Sequence, residues 1–218
     1  MLDSLFPDPL LYQVAEPWMW ETPVNSAEEA LVEKAVEKRK REFRAGRHAA
    51  HALFRKVGIE CPALLRGVQR EPGWPAGWAG SISHTAGLCM AAIAPKDHCI
   101  SLGVDAEQAT PLNPDILDMI CSKDEQAHLR DIGRQAGAGV SLDKLVFSAK
   151  ESVHKTYFPL NEYTLDFLDA RIELDWNNRR FEAFIINPEP NPRHPIKQLQ
   201  GRFLFYREWI VTCITLPA

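Results

Sequence analysis

Two short motifs contain the three carboxylates in this sequence that are best placed to do chemistry. Asp105 and Glu107 belong to the segment GVDAEQ, and Glu151 belongs to the segment FSAKES. Strand side chains alternate between two faces, so a D-x-E pair in an extended segment directs both carboxylates to one face. A third carboxylate from a nearby helix would complete a set of oxygen ligands that suits a hard cation such as Mg²⁺, together with substrate phosphates and water.

Lysines near Glu151 indicate what such a cation would act on. Lys150 and Lys155 would bring positive charge to the anionic oxygens of a substrate, so the combination predicts a site that handles a phosphate group. Each motif is weak by itself. Two acids at a strand end are more often solvated, FSAKES also fits the turn of a surface helix, and Ser83-His84 fits a helix cap.

The elements that must position the carboxylates are two strands and one helix. Apolar runs over residues 88–94 and 100–105, separated by the turn PKDH, predict two buried strands. An apolar stripe with the 3.6-residue period predicts a helix over residues 141–159. Glu151 falls nearly opposite that stripe and shares a face with Lys155, four residues later.

The order of the remaining elements favours an α+β fold. Helix, strands, helices and strands follow one another, which resembles two lobes of similar size that meet near residue 110. We therefore expect an N-terminal lobe over residues 1–110, which carries the D-x-E pair, and a C-terminal lobe over residues 111–218. The other predicted elements are a helix over 26–57, a long loop over 61–80, a hairpin from 169–176 and 180–187, and one or two strands over 203–216.

The composition excludes several classes of protein. The chain has 218 residues, 45% of them hydrophobic, which is enough for one large domain or two small lobes. Its net charge of -4 argues against a nucleic-acid-binding protein. The start lacks the features of a signal peptide, and no apolar run approaches the roughly 18 residues needed to span a bilayer. Five cysteines without a C-x-x-C pair argue against disulfides and zinc and favour a reducing, cytoplasmic setting.

A basic segment follows an acidic start of the chain. Residues 38–56 hold eight bases and one acid, whereas residues 1–37 hold eight acids and one base. A solvated helix face usually explains such a segment, so Arg39 and Arg47 receive no role from charge alone. The sequence has no G-x-S-x-G elbow, no Walker loop and no G-x-G-x-x-G motif, so nucleophilic-serine and nucleotide-loop chemistries lack support.

Four segments together are far more specific than any one of them. The order FRAGRHAAHAL, EPGWPAGWAGSISHT, LGVDAEQ and FSAKESVHKTYFPL, from about residue 39 to residue 158, resembles the 4'-phosphopantetheinyl transferase superfamily and its surfactin-type branch. The resemblance implies a pseudo-dimeric α+β fold with coenzyme A in the cleft between two similar lobes. It also implies transfer of the phosphopantetheine arm to a serine of a carrier protein, with release of 3',5'-ADP.

The resemblance assigns roles to the carboxylates and to one lysine. Asp105, Glu107 and Glu151 resemble the family's Mg²⁺ ligands, and Asp105, Glu151 and Lys155 are the expected catalytic residues. Glu151 is also a candidate general base for the carrier serine, either directly or through a water. His154 departs from the pattern, since the family more often has an aromatic residue there.

The resemblance also implies a set of contacts with coenzyme A. His84, in the SHT motif, looks like a phosphate contact, with Ser83 beside it. The basic residues that match the family are Arg39 and Arg47 at the 3'-phosphate, Arg66 on the adenine side, and Lys150 and Lys155 around the pyrophosphate.

The partners implied are apo acyl-carrier or peptidyl-carrier domains of siderophore, nonribosomal peptide, fatty-acid or polyketide synthesis, and the chain is expected to be a monomer. Such carriers are acidic, so six bases within residues 178–207 form a candidate docking region, which a solvated face explains equally well. Two alternatives stay open: a Mg²⁺-dependent hydrolase of the coenzyme A pyrophosphate, and a non-catalytic protein that binds coenzyme A.

Overall fold

The fold combines two antiparallel sheets with helices packed against them. The computed structural model describes residues 2–67, 71–137 and 139–218. Within these residues the strands form one three-stranded and one five-stranded sheet, which confirms the predicted α+β class. No helix in the described part of the chain is long and apolar enough to cross a membrane.

The smaller sheet lies in the N-terminal half and is covered by one long helix. The elements of this half are β1 (Leu11–Val14), α1 (Pro17–Glu21), α2 (Ser26–Glu29), α3 (Glu37–Lys56), β2 (Trp78–Thr85) and β3 (Leu88–Pro95). The strand order is β1-β3-β2. Leu53 and Phe54 of α3 share a buried apolar cluster with Ala91 and Ile93 of β3, so the central strand of the sheet anchors the helix.

The larger sheet places the D-x-E pair on an edge strand. Its half contains β4 (Cys99–Gln108), α4 (Pro114–Ile120), α5 (Lys123–Ala136), α6 (Leu142–Asn161), β5 (Ala170–Asp175), β6 (Arg180–Ile185), β7 (Gln198–Tyr206) and β8 (Trp209–Pro217). The strand order is β4-β8-β7-β6-β5. Asp105 on β4 lies opposite Thr212 on β8, so hydrogen bonds join the strand with the carboxylates to the last strand of the chain.

Two predictions for the N-terminal half were wrong in part. The single helix expected over 26–57 is interrupted, because α2 continues only as a short 3-10 helix, Ala30–Val32, and Val36 adopts an extended conformation before α3 begins. The loop expected over 61–80 ends earlier, since β2 begins at Trp78. Ser83 and His84 therefore lie within a strand rather than at a helix cap.

The elements predicted near the carboxylates agree more closely with the structure. The strands expected over 88–94 and 100–105 are β3 and β4, each slightly longer than predicted. The helix expected over 141–159 is α6, which continues two residues past Pro159. The hairpin is formed by β5 and β6, and the last predicted segment contains parts of both β7 and β8.

A glycine on β4 lets α6 pack unusually close to the sheet. A Cβ atom at Gly103 would lie 2.1 Å from the carbonyl oxygen of Ser152. Ser152 Oγ also lies 2.6 Å from Thr212 Oγ1, and Thr212 Oγ1 lies 3.0 Å from Ser148 Oγ, so buried hydroxyls fasten the helix to β8. This close packing fixes Glu151, next to Ser152, relative to the D-x-E strand.

Candidate active site

Serines of β2 join the two sheets at the D-x-E strand. Ser83 Oγ accepts a hydrogen bond from the backbone N–H of Ala106 (3.1 Å) and donates one to Asp105 Oδ1 (3.0 Å). Ser81 Oγ accepts from the backbone N–H of Val104 (3.0 Å). Because successive side chains alternate between faces, Ser81 and Ser83 lie on the same side of β2. Their hydroxyls satisfy the free edge of β4 and fix its backbone on both sides of Asp105.

Lys155 of α6 also contacts this junction. Its Nζ donates to Asp105 Oδ1 (2.8 Å), to the Val104 carbonyl (3.1 Å) and to Ser83 Oγ (3.1 Å). A hydroxyl has one proton and two lone pairs, and all three are used at Ser83. Ser83 therefore positions Asp105 and Lys155, and its expected contact with coenzyme A stays a prediction.

Asp105 has one carboxylate oxygen that is left without a partner. The residue is 3% exposed, and its Oδ2 is buried with no hydrogen-bond partner among the described residues. Burying a charged oxygen without compensation is costly. This atom is therefore a ready ligand for a cation or for a donor group.

Glu107 is half-buried and lies near other carboxylates, two residues further along β4. Burial, followed by the charge of Asp105, raises the pKa of Glu107 from 4.5 to about 6. Lys144 Nζ lies 3.6 Å from Glu107 Oε2 and opposes that shift. The sequence reasoning did not select Lys144, although it precedes Glu151 by seven residues, which is two helical turns and therefore the same face of α6.

Glu151 is half-buried, and the negative charge of a neighbouring carboxylate acts on it. Burial, with a further contribution from the charge of Asp105, raises the pKa of Glu151, while Lys155 lowers it. No three His, Cys, Asp or Glu side chains among the described residues already converge as a metal cluster. The unpartnered Asp105 Oδ2 and the mutual repulsion of three carboxylates nevertheless fit a hard divalent cation, for which carboxylate oxygens are the preferred donors.

His84 faces the opposite side of β2, toward α3. Its Nε2 lies 2.7 Å from Arg39 Nη1, and its Nδ1 lies 3.6 Å from Glu42 Oε2. A guanidinium only donates, so the contact with Arg39 requires an unprotonated Nε2. Burial lowers the pKa of His84, and the charges of Arg39 and Lys155 lower it further, which agrees with a neutral ring at pH 7.

Three arginines lie close together beyond His84. The guanidinium carbon of Arg47 lies 4.6 Å from the centre of the Phe43 ring, and that of Arg66 lies 5.8 Å from the same centre. Burial lowers the pKa of Arg47 to about 10, and the nearby charges of Arg66 and Arg39 contribute. A guanidinium whose pKa is lowered by neighbouring positive charges marks a place where an anion would be stabilised.

Lys150 does not belong to this site, so its expected contact with the coenzyme A pyrophosphate requires correction. Its Nζ is buried and donates to the carbonyls of Ile120 (2.7 Å) and Phe167 (2.8 Å) and to Glu125 Oε2 (2.9 Å). Its side chain is only 2% exposed, against 25% for Lys155, and its three ammonium protons are all used away from Asp105. Lys150 is offset by about 100° from Glu151 around the helix, which explains why only one of the two lysines reaches Asp105.

The charged side chains of the candidate site fall into two groups, one on each side of β2. The acidic group consists of Asp105, Glu107 and Glu151 with Lys155. The cationic group consists of Arg39, Arg47 and Arg66. Neighbouring positions on β2 connect them, because Ser83 faces the acidic group and His84 faces Arg39. A ligand that spans both groups would need negative charge at two separated points.

Comparison with known families identifies the class of protein. Residues 27–94 match the model of the 4'-phosphopantetheinyl transferase N-terminal domain, and residues 101–214 match that of the 4'-phosphopantetheinyl transferase superfamily. The second match alone covers more than half of the chain, so the chain belongs to this superfamily, as its motifs predicted. It is an enzyme of the class that modifies carrier proteins with the phosphopantetheine arm of coenzyme A.

Individual relatives agree with this assignment. The chain is 33% identical to 4'-phosphopantetheinyl transferase PptT of Mycobacterium tuberculosis, over 87% of this chain and 84% of the relative. It is 35% identical to 4'-phosphopantetheinyl transferase Svp of Streptomyces mobaraensis, over 88% of this chain and 78% of the relative. It is also 35% identical to Enterobactin synthase component D of Escherichia coli O157:H7, over 69% of each chain.

Proposed function

We propose that this chain transfers the phosphopantetheine arm of coenzyme A to a serine of an apo acyl-carrier or peptidyl-carrier domain and releases 3',5'-ADP. The observation that carries the proposal is the position of His84, between three arginines and a group of three carboxylates. Coenzyme A has phosphates at two separated places, a terminal 3'-phosphate and a pyrophosphate. The two charged groups of the site correspond to these two places.

The arginines are the proposed binding site for the 3'-phosphate end of coenzyme A. Arg39 and Arg47 hold the phosphate, and Arg66 lies on the adenine side. A guanidinium suits this task because its planar fork can donate to two phosphate oxygens at once. The positive charges of Arg39 and Arg66 lower the pKa of Arg47, and a bound anion would offset that repulsion.

The carboxylates are the proposed holders of Mg²⁺, with Asp105, Glu107 and Glu151 as the protein ligands. When bound, the ion would supply positive charge to the pyrophosphate oxygens. The donor set and the unpartnered Asp105 Oδ2 support this assignment. Ala106 offers no side-chain ligand, so water would complete the coordination.

The protein side chains then carry the proton and part of the charge. Glu151 accepts the proton of the carrier serine, directly or through a water, as that oxygen bonds to the β-phosphorus of coenzyme A. The bond from this phosphorus to the bridging oxygen breaks, and 3',5'-ADP leaves. A raised pKa makes Glu151 a better base than an exposed glutamate. Lys155 stabilises the negative charge that develops on the phosphoryl oxygens, and a neutral His84 offers one further hydrogen bond through its Nδ1–H.

The carrier is proposed to dock on the C-terminal lobe, the lobe we place at residues 111–218, with residues 1–110 as the other lobe of a monomeric pseudo-dimer. An acidic carrier would meet the bases of this region, which are Arg179, Arg180, Arg193, Lys197, Arg202 and Arg207. Arg193 is already paired with Glu162 (2.7 Å), so it would exchange one carboxylate for another. Charge reversal at Arg193 and Lys197 that leaves the carrier KM unchanged would reject this surface.

The likeness to the enterobactin enzyme favours carriers of siderophore or nonribosomal peptide synthesis over those of fatty-acid or polyketide synthesis. We propose a cytoplasmic enzyme, because all five cysteines are free and a reducing compartment keeps them so.

A hydrolase of the coenzyme A pyrophosphate uses the same charged groups but needs no carrier. Incubation of the protein with coenzyme A and Mg²⁺, with and without an apo carrier domain, separates the two reactions. A transferase releases 3',5'-ADP only when the carrier is present. Release at the same rate without a carrier identifies the hydrolase, and no release in either case identifies a non-catalytic binder.

A further inference from the structure

A buried carboxylate outside the acidic group ties together the segments that carry the arginines. Glu28 is 0% exposed. Its Oε1 accepts a hydrogen bond from the backbone N–H of Leu64 (2.8 Å) and lies 2.9 Å from His51 Nε2, while its Oε2 accepts from Asn25 Nδ2 (2.7 Å). The start of α2, the middle of α3 and the loop after α3 therefore meet at one side chain.

The same carboxylate is the counter-charge of Arg47. Glu28 Oε1 lies 3.8 Å from Arg47 Nε, and the Arg47 side chain is only 5% exposed. That Nε is buried and has no hydrogen-bond partner among the described residues. Glu28 also contributes most to keeping the pKa of Arg47 up, against burial and the charges of Arg66 and Arg39. A guanidinium buried beside two others needs such a fixed negative charge to stay in place.

The loop contact extends the influence of Glu28 to Arg66. Leu64 is fully buried and lies two residues before Arg66. Leu65 and Arg66 pair with residues further along the chain, because the N–H of Gly73 donates to the carbonyl of Leu65 (2.8 Å) and Arg66 forms a β-bridge with Pro72. The Glu28 carboxylate thus holds the backbone two residues before Arg66.

We propose that Glu28 is a positioning residue for the 3'-phosphate of coenzyme A. It holds Arg47, and the loop that carries Arg66, in the arrangement that a terminal phosphate requires, and it does not touch the ligand. This inference rests on the proposed function, which makes the 3'-phosphate the anion bound by these arginines. A residue that only stabilised the fold would affect all forms of the ligand equally.

The test compares coenzyme A with 3'-dephospho-coenzyme A, which lacks the phosphate in question. Calorimetry gives the affinity of wild type and of Glu28→Gln for both ligands. Glu28→Gln keeps the shape of the side chain but removes its charge. We expect about tenfold weaker binding of coenzyme A, which corresponds to roughly 1.4 kcal/mol, and unchanged binding of the dephosphorylated ligand.

The chain offers a matched control at a second buried glutamate. Glu125 also accepts a backbone hydrogen bond, from Ile172 N–H (2.8 Å), and it pairs with Lys150 (2.9 Å), but it has no contact with the arginines. Glu125→Gln should lower the melting temperature as Glu28→Gln does, yet keep the wild-type preference for coenzyme A over its dephosphorylated form.

Equal loss of affinity for both ligands in Glu28→Gln, or an unchanged preference between them, overturns the inference. If Glu28→Gln does not fold, Glu28→Asp keeps the charge but shortens its reach, and a loss of roughly threefold for coenzyme A alone is expected. An unchanged preference in Glu28→Asp is then the contradicting result.

If Arg47→Ala abolishes the preference and Glu28→Gln keeps it, the role of Glu28 fails while the proposed function stands. A wild-type protein without any preference overturns both.

Discussion

Lys155 Nζ lies 2.8 Å from Asp105 Oδ1, so an ammonium group from α6 meets the first carboxylate of the D-x-E strand. The contact joins the helix to the edge of the larger sheet, and Ser83 from the smaller sheet lies between the same two side chains. Three elements that are distant in sequence therefore define one charged position. The other oxygen of Asp105 has no hydrogen-bond partner in the part of the chain that the structure describes, which leaves this carboxylate able to bind a cation.

The two lysines near Glu151 should respond differently to replacement. Lys150→Met breaks a buried ion pair with Glu125, so we expect a loss of about 3 kcal/mol in the free energy of unfolding with an unchanged KM for coenzyme A. Lys155→Met removes the partner of Asp105 and should abolish most of the transfer activity. Denaturant unfolding and steady-state kinetics on both variants check this contrast. A raised KM in Lys150→Met, measured while the protein is folded, would reinstate Lys150 as a contact for coenzyme A.

The close approach of α6 to β4 predicts opposite effects for two glycine substitutions. Gly103→Ala places a Cβ 2.1 Å from the Ser152 carbonyl oxygen and should destabilise the protein by about 3 kcal/mol. Gly133→Ala is the control, because a Cβ there meets only Leu142 Cδ1 at 3.9 Å, and a helical alanine should stabilise by roughly 0.5 kcal/mol. Chemical denaturation measures both. Equal stability of Gly103→Ala and wild type would show that the helix does not need this glycine.

The raised pKa of Glu107 predicts a pH-dependent stability in the presence of a chelator. The folded protein binds this proton with a pKa of about 6 against an ordinary value of 4.5. The folded state therefore holds more protons between those values, and the contribution of Glu107 to the free energy of unfolding rises as the pH falls through 6. Glu107→Gln removes this titration. The free energy of unfolding of the variant minus that of wild type should therefore be larger at pH 7 than at pH 5, by about 1 kcal/mol. A difference that is the same at both pH values would contradict the shift.

The position of Arg47 predicts a selective loss of ligand binding. Arg47→Ala should weaken the affinity for coenzyme A roughly tenfold to a hundredfold, because a hydrogen bond to a charged group contributes about 1.5–3 kcal/mol. Arg55→Ala, at an exposed position near the end of the same helix, is the control and should bind as wild type does. Calorimetry that finds the same affinity in Arg47→Ala and in wild type would reject the role of Arg47.

The sequence predicted local structure near the carboxylates better than it predicted which side chains meet. Strand alternation and the helical period indicated β3, β4 and α6 because these segments are regular and apolar on one face. The segment before Ser83 looked like a loop because glycines and prolines dominate it, yet β2 begins at Trp78 as soon as pairing with β3 becomes possible. Tertiary pairing, rather than local propensity, decided that boundary.

Long-range contacts explain the rest of the differences. Lys150 and Lys155 look equivalent beside Glu151, but only the structure shows that Lys150 meets Glu125, 25 residues away in sequence. Lys144 could have been selected from its seven-residue spacing to Glu151. The role of Glu28 had no local signal, because Arg47, His51 and Leu64, the partners on which it depends, come from α3 and from the loop after it.

Mass spectrometry of a purified apo carrier domain, after incubation with coenzyme A and Mg²⁺, tests the central claim most directly. Wild type should add the mass of one phosphopantetheine to the carrier. Glu151→Gln, shown by circular dichroism to keep the fold, should add none, because both a metal ligand and the proton acceptor are lost. Near-wild-type turnover by Glu151→Gln would contradict the account.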